Sequence, residues 1–176
     1  MATRRVGPQA GTLKVHTYRE GVAQKLGHDL IIEVVKWDAT LEVDPDGTIQ
    51  SVRLTADPSS LEVREGHNGA RALTDKDRKD IAGSIDEKVL RGKPIEFTST
   101  AVGPRNGGVT VRGDLTMADT TRPAAFDVEV SGDGRVAGRI PVTQSEWGIK
   151  PYKAFMGALK VRDTIEIVLD VRLAAA

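Results

Sequence analysis

Hydrophobic and polar residues alternate along most of this chain, and the last segment shows the pattern most clearly. Ile165, Ile167, Leu169, Val171 and Leu173 lie two positions apart, and most of the residues between them are charged. Successive side chains of a β-strand point to opposite faces, so this spacing predicts a strand with one dry face and one wet face. The alternation recurs at least seven times, which predicts an all-β protein.

The alternation and the turn signals between its stretches divide the chain into elements. We predict strands over 12–18, 28–44, 49–56, 95–101, 109–117, 126–130, 136–142 and 159–173, and a short strand over 61–63 inside the loop 57–73. The dry positions change phase near Val35 and Lys36, which predicts a bulge or bend there. We expect helical turns over residues 19–27. Residues 1–11 are polar and rich in Gly and Pro, so we expect a flexible tail followed by one domain over 12–173.

One helix is expected, over residues 75–90. Thr74 is placed to cap its first turn, and Asp77 follows three residues later in an approximate capping box. Ile81, Ile85 and Val89 recur every four residues and form a narrow apolar stripe. The predicted fold class is therefore all-β with one short helix.

Short turns favour antiparallel pairing of the strands. Asp44–Gly47, Asn106–Gly108 and Gly132–Gly134 are turn or hairpin sequences. About eight antiparallel strands can close a barrel whose interior holds one small ligand. The chain has only three Phe, two Trp and two Tyr to fill such an interior. We therefore expect an antiparallel β-barrel that is hollow and carries an oily ligand.

Composition narrows the class of partner. The chain has 25 basic and 25 acidic residues, and a net charge of zero without a basic block argues against nucleic acid and against a polybasic membrane anchor. There is no Cys, so disulfides and thiolate metal sites are excluded. No segment approaches the roughly 20 apolar residues of a spanning helix, and no signal-peptide core follows the N-terminus. We expect a cytoplasmic protein without integral membrane association.

Several segments resemble motifs of the YceI-like family. Residues 111–116 (Val-Arg-Gly-Asp-Leu-Thr), followed by Thr121-Arg122-Pro123, resemble its "V-x-G-x-L-T … G-x-T-x-P" strand and turn. Residues 94–99 resemble the "P-x-x-F-x-S" strand after its single helix, Glu146–Ile149 its "D-F-G-I" turn, and 165–173 its final strand. The order and spacing agree from about residue 12 to residue 173.

The resemblance implies a lipocalin-like antiparallel barrel that holds a long amphiphile, often a polyisoprenoid, in its central channel. Members of the family are often secreted or periplasmic, and some are dimeric. This chain departs from the pattern in three ways. It has no export signal, Asp119 replaces the Gly of the turn, and Arg78–Ile81 replaces the "R-D-x-H-L"-like element of the helix without its His. An envelope role and a headgroup contact from the helix are therefore not expected.

Two sets of residues are candidates for ligand contact. The barrel lining is predicted from the dry faces of the strands: Trp37, Ala39, Leu54, Phe97, Val111, Gly113, Leu115, Met117, Phe126, Val128, Gly138 and Ile140. A gate at the barrel mouth is predicted from the apolar loop 144–157: Trp147, Tyr152, Phe155 and Met156. Plain core packing and a loop folded over one end of the core are the alternatives. The small inward residues Ala39, Gly113 and Gly138 are expected to leave ligand space. For Lys150 and Lys153 the two alternatives are contact with an anionic headgroup and plain solvation.

The predicted function is non-enzymatic binding, sequestration or transport of a long-chain lipid, most notably a polyisoprenoid. No cofactor or metal is expected, and the partner is the lipid, with a homodimer left open. One alternative is a small enzyme or a haem- or metal-binding barrel that uses His28 with nearby carboxylates; no His pair has the i, i+4 spacing of a helical zinc site. Another alternative is a stress or scaffold protein whose barrel is filled by its own side chains.

Overall fold

The alternating segments form strands that pair in a ring. The structure is a computed structural model and describes residues 1–174. Its strands are β1 (Ala2–Val6), β2 (Gly11–Thr17), β3 (Arg19–Glu20), β4 (Asp29–Val34), β5 (Trp37–Val43), β6 (Ile49–Ala56), β7 (Leu61–His67), β8 (Ile95–Arg105), β9 (Gly108–Met117), β10 (Thr120–Val130), β11 (Arg135–Thr143), β12 (Lys153–Ala154), β13 (Leu159–Val161) and β14 (Thr164–Arg172). Helix α1 (Asp75–Ser84) continues into a π-helical turn over Ile85–Val89.

Eleven of these strands belong to one antiparallel sheet, in the order β1-β5-β6-β8-β9-β10-β11-β14-β2-β4-β7. Both ends of this order are joined by the chain itself, because β4 runs into β5 after two residues and β6 runs into β7 after four. At the bend, Val35 N donates to Ser60 O at 3.1 Å, and Asp57 N donates to Lys36 O at 3.0 Å. The backbone pairing therefore continues across the bend, and the curled sheet closes into a barrel.

The predicted bend near Val35 and Lys36 is confirmed, and it explains the strand count. The sheet has more separate strands than the eight predicted, but β1–β2, β4–β5 and β6–β7 are each one bent strand of the wall. Counted this way, the ring is β1–β2, β4–β5, β6–β7, β8, β9, β10, β11 and β14, each paired with the next. The fold class, an antiparallel lipocalin-like barrel with one short helix, is confirmed.

Some predicted elements were wrong in extent. Residues 1–11, expected to be a flexible tail, contain β1, which pairs with β5 from Ala2↔Val43 to Val6↔Ala39. Residues 61–67 form a strand longer than the predicted 61–63. Residues 19–27 contain the short strand β3 and a single 3₁₀ turn at Gln24–Leu26. Further 3₁₀ turns lie at Pro8–Ala10, Pro58–Ser60, Gln144–Trp147 and Phe155–Gly157.

Helix α1 begins where the capping signal places it. The Thr74 side chain accepts from Asp77 N at 3.0 Å, and the Asp77 side chain accepts from Thr74 N at 2.9 Å. The helix packs beside β7, where Arg78 Nη1 donates to Arg64 O at 2.9 Å. An unpaired strand edge exposes carbonyl groups, and this contact satisfies one of them.

The core lies inside the ring, where the dry faces of the strands meet. Ile32 and Val111 are the most deeply buried large side chains, each 2 % exposed. Ile81, Ile85 and Val89, the predicted apolar stripe of the helical segment, pack against this core. No helix within residues 1–174 is long and apolar enough to cross a membrane. The second sheet has three short strands in the order β12-β13-β3 and projects from the end of the ring where β2 ends and β14 begins.

Candidate functional site

The interior of the ring contains an apolar cavity of about 350 Å³. Residues from all eight strands of the wall line it, and the set includes Val6, Leu13, Val34, Trp37, Ala39, Leu41, Ile49, Leu54, Phe97, Val111, Leu115, Phe126, Val128, Val136, Ile140, Ile167, Leu169 and Val171. Ligand pockets commonly measure about 300–1,000 Å³ and are lined mostly by apolar side chains. The cavity therefore has the size and the chemistry of a site for a small apolar molecule or part of a larger one.

The lining pattern shows where the cavity opens. Along most strands the lining residues alternate, as Trp37, Ala39 and Leu41 do on β5, because only every second side chain of a wall strand points inward. On β10, by contrast, the four consecutive residues 123–126 line the cavity, and on β11 the four residues 140–143 do so. Consecutive residues reach a cavity only where it passes around a strand edge. The cavity therefore opens sideways through a slit between β10 and β11.

Strand pairing confirms that β10 and β11 separate. Only two residue pairs join them, Glu129↔Ala137 and Val130↔Val136, although the two strands are 11 and 9 residues long. Pro123 lies on one edge of the slit and Pro141 on the other. Proline has no N–H to donate, so within sheets it is confined to positions whose nitrogen faces an unpaired edge. The two prolines thus keep the slit from pairing shut.

Trp147 covers one end of the cavity. It belongs to the 3₁₀ turn Gln144–Trp147, is 4 % exposed, and donates from Nε1 to Leu115 O at 2.8 Å. The turn directly follows β11, and its indole bonds to β9, which lies on the far side of β10. The turn therefore spans the slit at the end away from the two residue pairs that join β10 and β11. Glu146 lies beside it on the rim and is the one charged residue among the described residues that line the cavity.

Most of the predicted lining residues line the cavity. Nine of the twelve do: Trp37, Ala39, Leu54, Phe97, Val111, Leu115, Phe126, Val128 and Ile140. Met117 is buried, at 4 % exposure, but lies outside this lining. Gly113 and Gly138 also lie outside it. Whether any of these residues contacts a ligand stays a prediction.

The expectation that Gly113 and Gly138 leave ligand space was wrong, because neighbouring groups already fill it. A Cβ on Gly113 would lie 2.3 Å from Thr98 O and 2.7 Å from Phe97 Cζ. A Cβ on Gly138 would lie 2.9 Å from Val128 Cγ1. Both glycines therefore permit close packing of the wall, and the free space lies elsewhere.

The four residues of the predicted gate lie in two different environments. Trp147 is buried against the cavity, whereas Tyr152 and Phe155 are each 63 % exposed and Met156 is fully exposed, and none of these three lines the cavity. Lys150 and Lys153 do not line it either, so the predicted lysine contact with a headgroup in the mouth is not supported. The slit edges at 123–125 and 141–143 were missed by the sequence reasoning. Their available signal was a proline at each edge: Pro141 lies inside the predicted strand 136–142, and Pro123 lies just before the predicted strand 126–130.

Trp37 carries the one unsatisfied polar group of the cavity wall in the part of the chain that the structure describes. Its side chain is 6 % exposed, and its Nε1 is buried without a hydrogen-bond partner. The residue also borders an open depression of about 480 Å³ on the outer face of the bend, between Pro8, Pro58 and Pro94. A buried donor without a partner costs about 1–3 kcal/mol, so an acceptor atom placed against this indole would be stabilised.

The three histidines are the basis of the metal- and haem-binding alternative. Among the described residues, no group of three or more His, Asp or Glu side chains is placed to hold a metal ion. His28 Nε2 lies 2.5 Å from Arg71 O, and Asp29 accepts from Arg19 N and from Asn68 Nδ2. His28 and the adjacent carboxylate of Asp29 therefore both bond to other segments of the chain.

An ionic group lies outside the wall at the end where β14 begins. Tyr18 donates its hydroxyl to Glu166, and Arg139 Nη1 lies 3.2 Å from Glu166 Oε2. The hydrogen bond from Tyr18, followed by that from Arg139, lowers the pKa of Glu166, and the same bond to Glu166 raises the pKa of Tyr18. Burial, followed by the charge of Arg139, lowers the pKa of His16. These groups fasten β2, β11 and β14 together and contribute no residue to the cavity lining.

Comparisons with known proteins agree with this fold. A family model described as "YceI-like domain" matches residues 22–173. The crystal structure of Burkholderia cenocepacia BcnA superposes with a TM-score of 0.68 at 19% identity, covering 92% of this chain and 96% of that one. A Campylobacter jejuni YCEI protein superposes with a TM-score of 0.64 at 12% identity, covering 82% and 84%. No curated protein matches the chain.

Proposed function

The chain belongs to the YceI-like family, and from that premise we propose that it binds one long-chain amphiphile in the barrel cavity without chemically changing it. The family is one of polyisoprenoid-binding proteins, which supports a lipid-binding barrel in general. For this chain, the observation that carries the proposal is the apolar cavity of about 350 Å³ that opens sideways between β10 and β11. We propose a polyisoprenoid or a related lipid as the ligand.

The lining favours a neutral headgroup. Glu146, the one charged lining residue within 1–174, is an acid and would repel a phosphate or carboxylate at the slit. The Trp37 indole, by contrast, offers a buried donor to a hydroxyl or carbonyl oxygen. We therefore propose an amphiphile whose polar group accepts a hydrogen bond and carries no negative charge.

The driving force is the transfer of hydrocarbon from water to the cavity. Each buried methylene contributes about 0.8 kcal/mol, so three isoprene units of five carbons contribute roughly 12 kcal/mol. Association costs about 4 kcal/mol or more, which leaves about 8 kcal/mol and an affinity near micromolar. Because the cavity lies at the small end of the usual range, a longer chain would extend through the slit, and affinity would stop rising once the cavity is filled.

Titration with prenyl alcohols of increasing length tests this proposal. Trp37 and Trp147 both line the cavity, so their fluorescence reports its occupation. The five added carbons contribute about 4 kcal/mol, so we expect affinity to rise by up to about 1,000-fold from the C10 to the C15 alcohol and then to level off. Farnesyl diphosphate is expected to bind more weakly than farnesol. Equal affinities for all chain lengths would contradict binding in a hydrophobic cavity.

A cavity-filling variant separates the interior from the rest of the surface. Ala39→Phe adds a ring to the cavity lining, and we expect it to weaken farnesol binding at least ten-fold. Thr40→Phe is the matched control, because Thr40 is the next residue of β5 and its side chain points to the opposite face. Retained farnesol binding by a folded Ala39→Phe protein would place the ligand elsewhere. The homodimer and the cytoplasmic location stay predictions.

A further inference from the structure

Exposed apolar side chains are concentrated on one small part of the surface. Six large hydrophobic residues are exposed among the described residues, and five of them lie in two segments: Val22 (96 % exposed), Leu26 (59 %), Tyr152 (63 %), Phe155 (63 %) and Met156 (107 %). The sixth, Met1, lies elsewhere. We call residues 20–27 and 150–162 together the tip. Contiguous exposed apolar surface on a protein usually marks an interaction site.

Backbone pairing holds the two segments of the tip together. Strands β12, β13 and β3 form one sheet, in which Lys160 lies opposite Glu20 and Ala154 lies opposite Leu159. Ala23 N donates to Ala158 O at 2.8 Å, which ties the 20–27 loop to the same sheet. The exposed apolar residues are therefore carried by one ordered structure that projects from the barrel.

The tip is also the basic region of a neutral chain. It contains five basic residues (Lys25, Lys150, Lys153, Lys160 and Arg162) and one acidic residue, Glu20, a net charge of +4 where the whole chain has zero. Lys160 and Arg162 share Glu20, at 3.9 and 4.0 Å. None of the ion pairs formed within residues 1–174 involves Lys25, Lys150 or Lys153.

The pairing of Lys153 with Lys160 points to an anionic partner. These residues lie directly opposite each other on β12 and β13. Like charges in that arrangement destabilise a sheet, and a nearby negative surface relieves the repulsion. The linear sequence showed no basic block because four of the five basic residues are spread over residues 150–162 and the fifth, Lys25, lies more than 120 positions away.

From this combination of charge and exposed hydrocarbon we propose that the tip docks the protein onto an anionic lipid bilayer. Phe155 and Met156 enter the boundary of the acyl chains, Tyr152 lies at the headgroup level, and the lysines contact anionic headgroups. Basic residues around exposed aromatic and aliphatic side chains are the features of interfacial membrane binding. The attraction amounts to about 1 kcal/mol per Lys or Arg near the surface.

The tip lies at the same end of the barrel as the wide end of the slit. The two pairs that join β10 and β11 lie at one end of these strands, so the slit widens toward the other end, at Thr143. Residues 144–163 leave the barrel at that same end, between Thr143 and its partner Thr164, and carry most of the tip. A protein docked through the tip therefore has the wide end of the slit on its membrane-facing side.

Vesicle co-sedimentation tests the proposal. We expect the protein to bind vesicles of phosphatidylcholine and phosphatidylglycerol in equal amounts and to bind pure phosphatidylcholine much more weakly. The triple variant K25Q/K150Q/K153Q should bind anionic vesicles on the order of 100-fold more weakly, since each lysine contributes roughly five-fold. The double variant F155S/M156S should lose about ten-fold or more.

A matched variant elsewhere keeps the test specific. K79Q/K88Q/K93Q removes three charges along the helical segment and its C-terminal turn, outside the tip, and should bind as the wild-type protein does. Equal binding to neutral and anionic vesicles, or equal losses in the tip triple and the helix triple, would overturn the proposal. So would a wild-type dimer that F155S/M156S converts to a monomer without changing vesicle binding, because the tip would then be an interface between copies.

The docking proposal does not depend on the ligand of the cavity. Tip variants are expected to bind farnesol in solution as the wild-type protein does, and Ala39→Phe is expected to bind anionic vesicles normally. Loss of farnesol binding with retained vesicle binding would therefore contradict only the proposed function. Retained farnesol binding without vesicle binding would contradict only the docking.

Discussion

Gly113 and the two phenylalanines near it show how single residues set the size of the cavity. Val111, Gly113 and Leu115 follow one another on the inner face of β9. The ring of Phe97 reaches over Gly113, and Phe97 packs against Phe126 with ring centroids 5.2 Å apart at 55°. Tilted aromatic pairs at such distances stabilise a core beyond their burial alone. The missing side chain at 113 therefore makes room for an aromatic pair of the protein itself.

Replacing Gly113 with alanine tests this packing at the residue scale. The added Cβ would approach backbone atoms of β8, including Thr98 O at 2.3 Å, which cannot move without shifting the strand. We expect a loss of about 1–3 kcal/mol in the free energy of unfolding, measured by urea denaturation. Gly103→Ala is the control, because a Cβ there meets nothing within 4 Å. Similar stability of the two variants would contradict the close packing.

The residue scale also shows where sequence reasoning succeeded and failed on the cavity. Alternation predicted which side chains point inward, and the structure places Trp37, Phe97 and Val111 among the residues that line the cavity. It treated the inward Gly113 as empty space because a one-dimensional pattern carries no information on which neighbour leans into a gap. The distances that decide this arise only when β8 and β9 pair.

At the scale of elements, helix α1 protects the wall as well as adding to the core. Its residue Arg78 hydrogen-bonds to a carbonyl of β7, and its apolar stripe continues through the π-helical turn at 85–89. Strand β7 pairs only with β4 in the sheet, so its other edge needs cover. The stability of the helix start therefore bears on the integrity of this part of the barrel.

Removal of the helix cap tests the contribution of this element. Thr74→Ala deletes the acceptor for Asp77 N, and we expect a loss of about 1 kcal/mol in the free energy of unfolding. Amide hydrogen exchange should also become faster in residues 75–80. Thr74→Ser keeps the hydroxyl oxygen and is expected to remain within a few tenths of a kcal/mol of the wild-type protein. Equal losses in both variants would mean that the cap bond contributes nothing.

Strands held mainly by backbone pairing were missed or predicted too short from the sequence: β1 was expected to be a flexible tail, and only residues 61–63 of β7 were predicted. Strand β1 buries only Val6 of its five residues, and β7 ends in Arg-Glu-Gly-His, so neither shows sustained alternation. Each forms because a bent neighbour offers it a free edge: β5 for β1, and β4 for β7. The bend itself was visible as a change of phase near Val35. Which segments would pair on either side of it depends on the whole ring.

At the scale of the whole molecule, the slit relates the cavity to the surface. A ring with complete pairing would enclose its contents, and ligand exchange would then require an opening of the wall. Here β10 and β11 diverge after two residue pairs, and residues of both strand edges line the cavity. No local pattern predicts this divergence, because it is a property of two strands relative to each other. The prolines at 123 and 141 were its only trace in the sequence.

Restoring hydrogen-bond donors to the slit edges should slow ligand exchange. Pro123→Thr and Pro141→Thr together add two backbone N–H groups where the wall is unpaired. If each new bond contributes about 0.5–1.5 kcal/mol to the closed wall, we expect dissociation of farnesol to slow roughly ten-fold or more, with little change in the intrinsic affinity of the filled cavity. Stopped-flow tryptophan fluorescence after mixing with excess lipid vesicles measures this rate.

Pro104→Thr provides the matched control, because Pro104 also lies within a strand, on β8, but outside the cavity lining. It should release farnesol at the wild-type rate. If the double variant also does so, the ligand does not leave between β10 and β11, and an exit at an end of the barrel must carry the exchange. If the double variant is slower, the rate depends on how far two strands separate, and a change in two backbone N–H groups controls access to the whole interior.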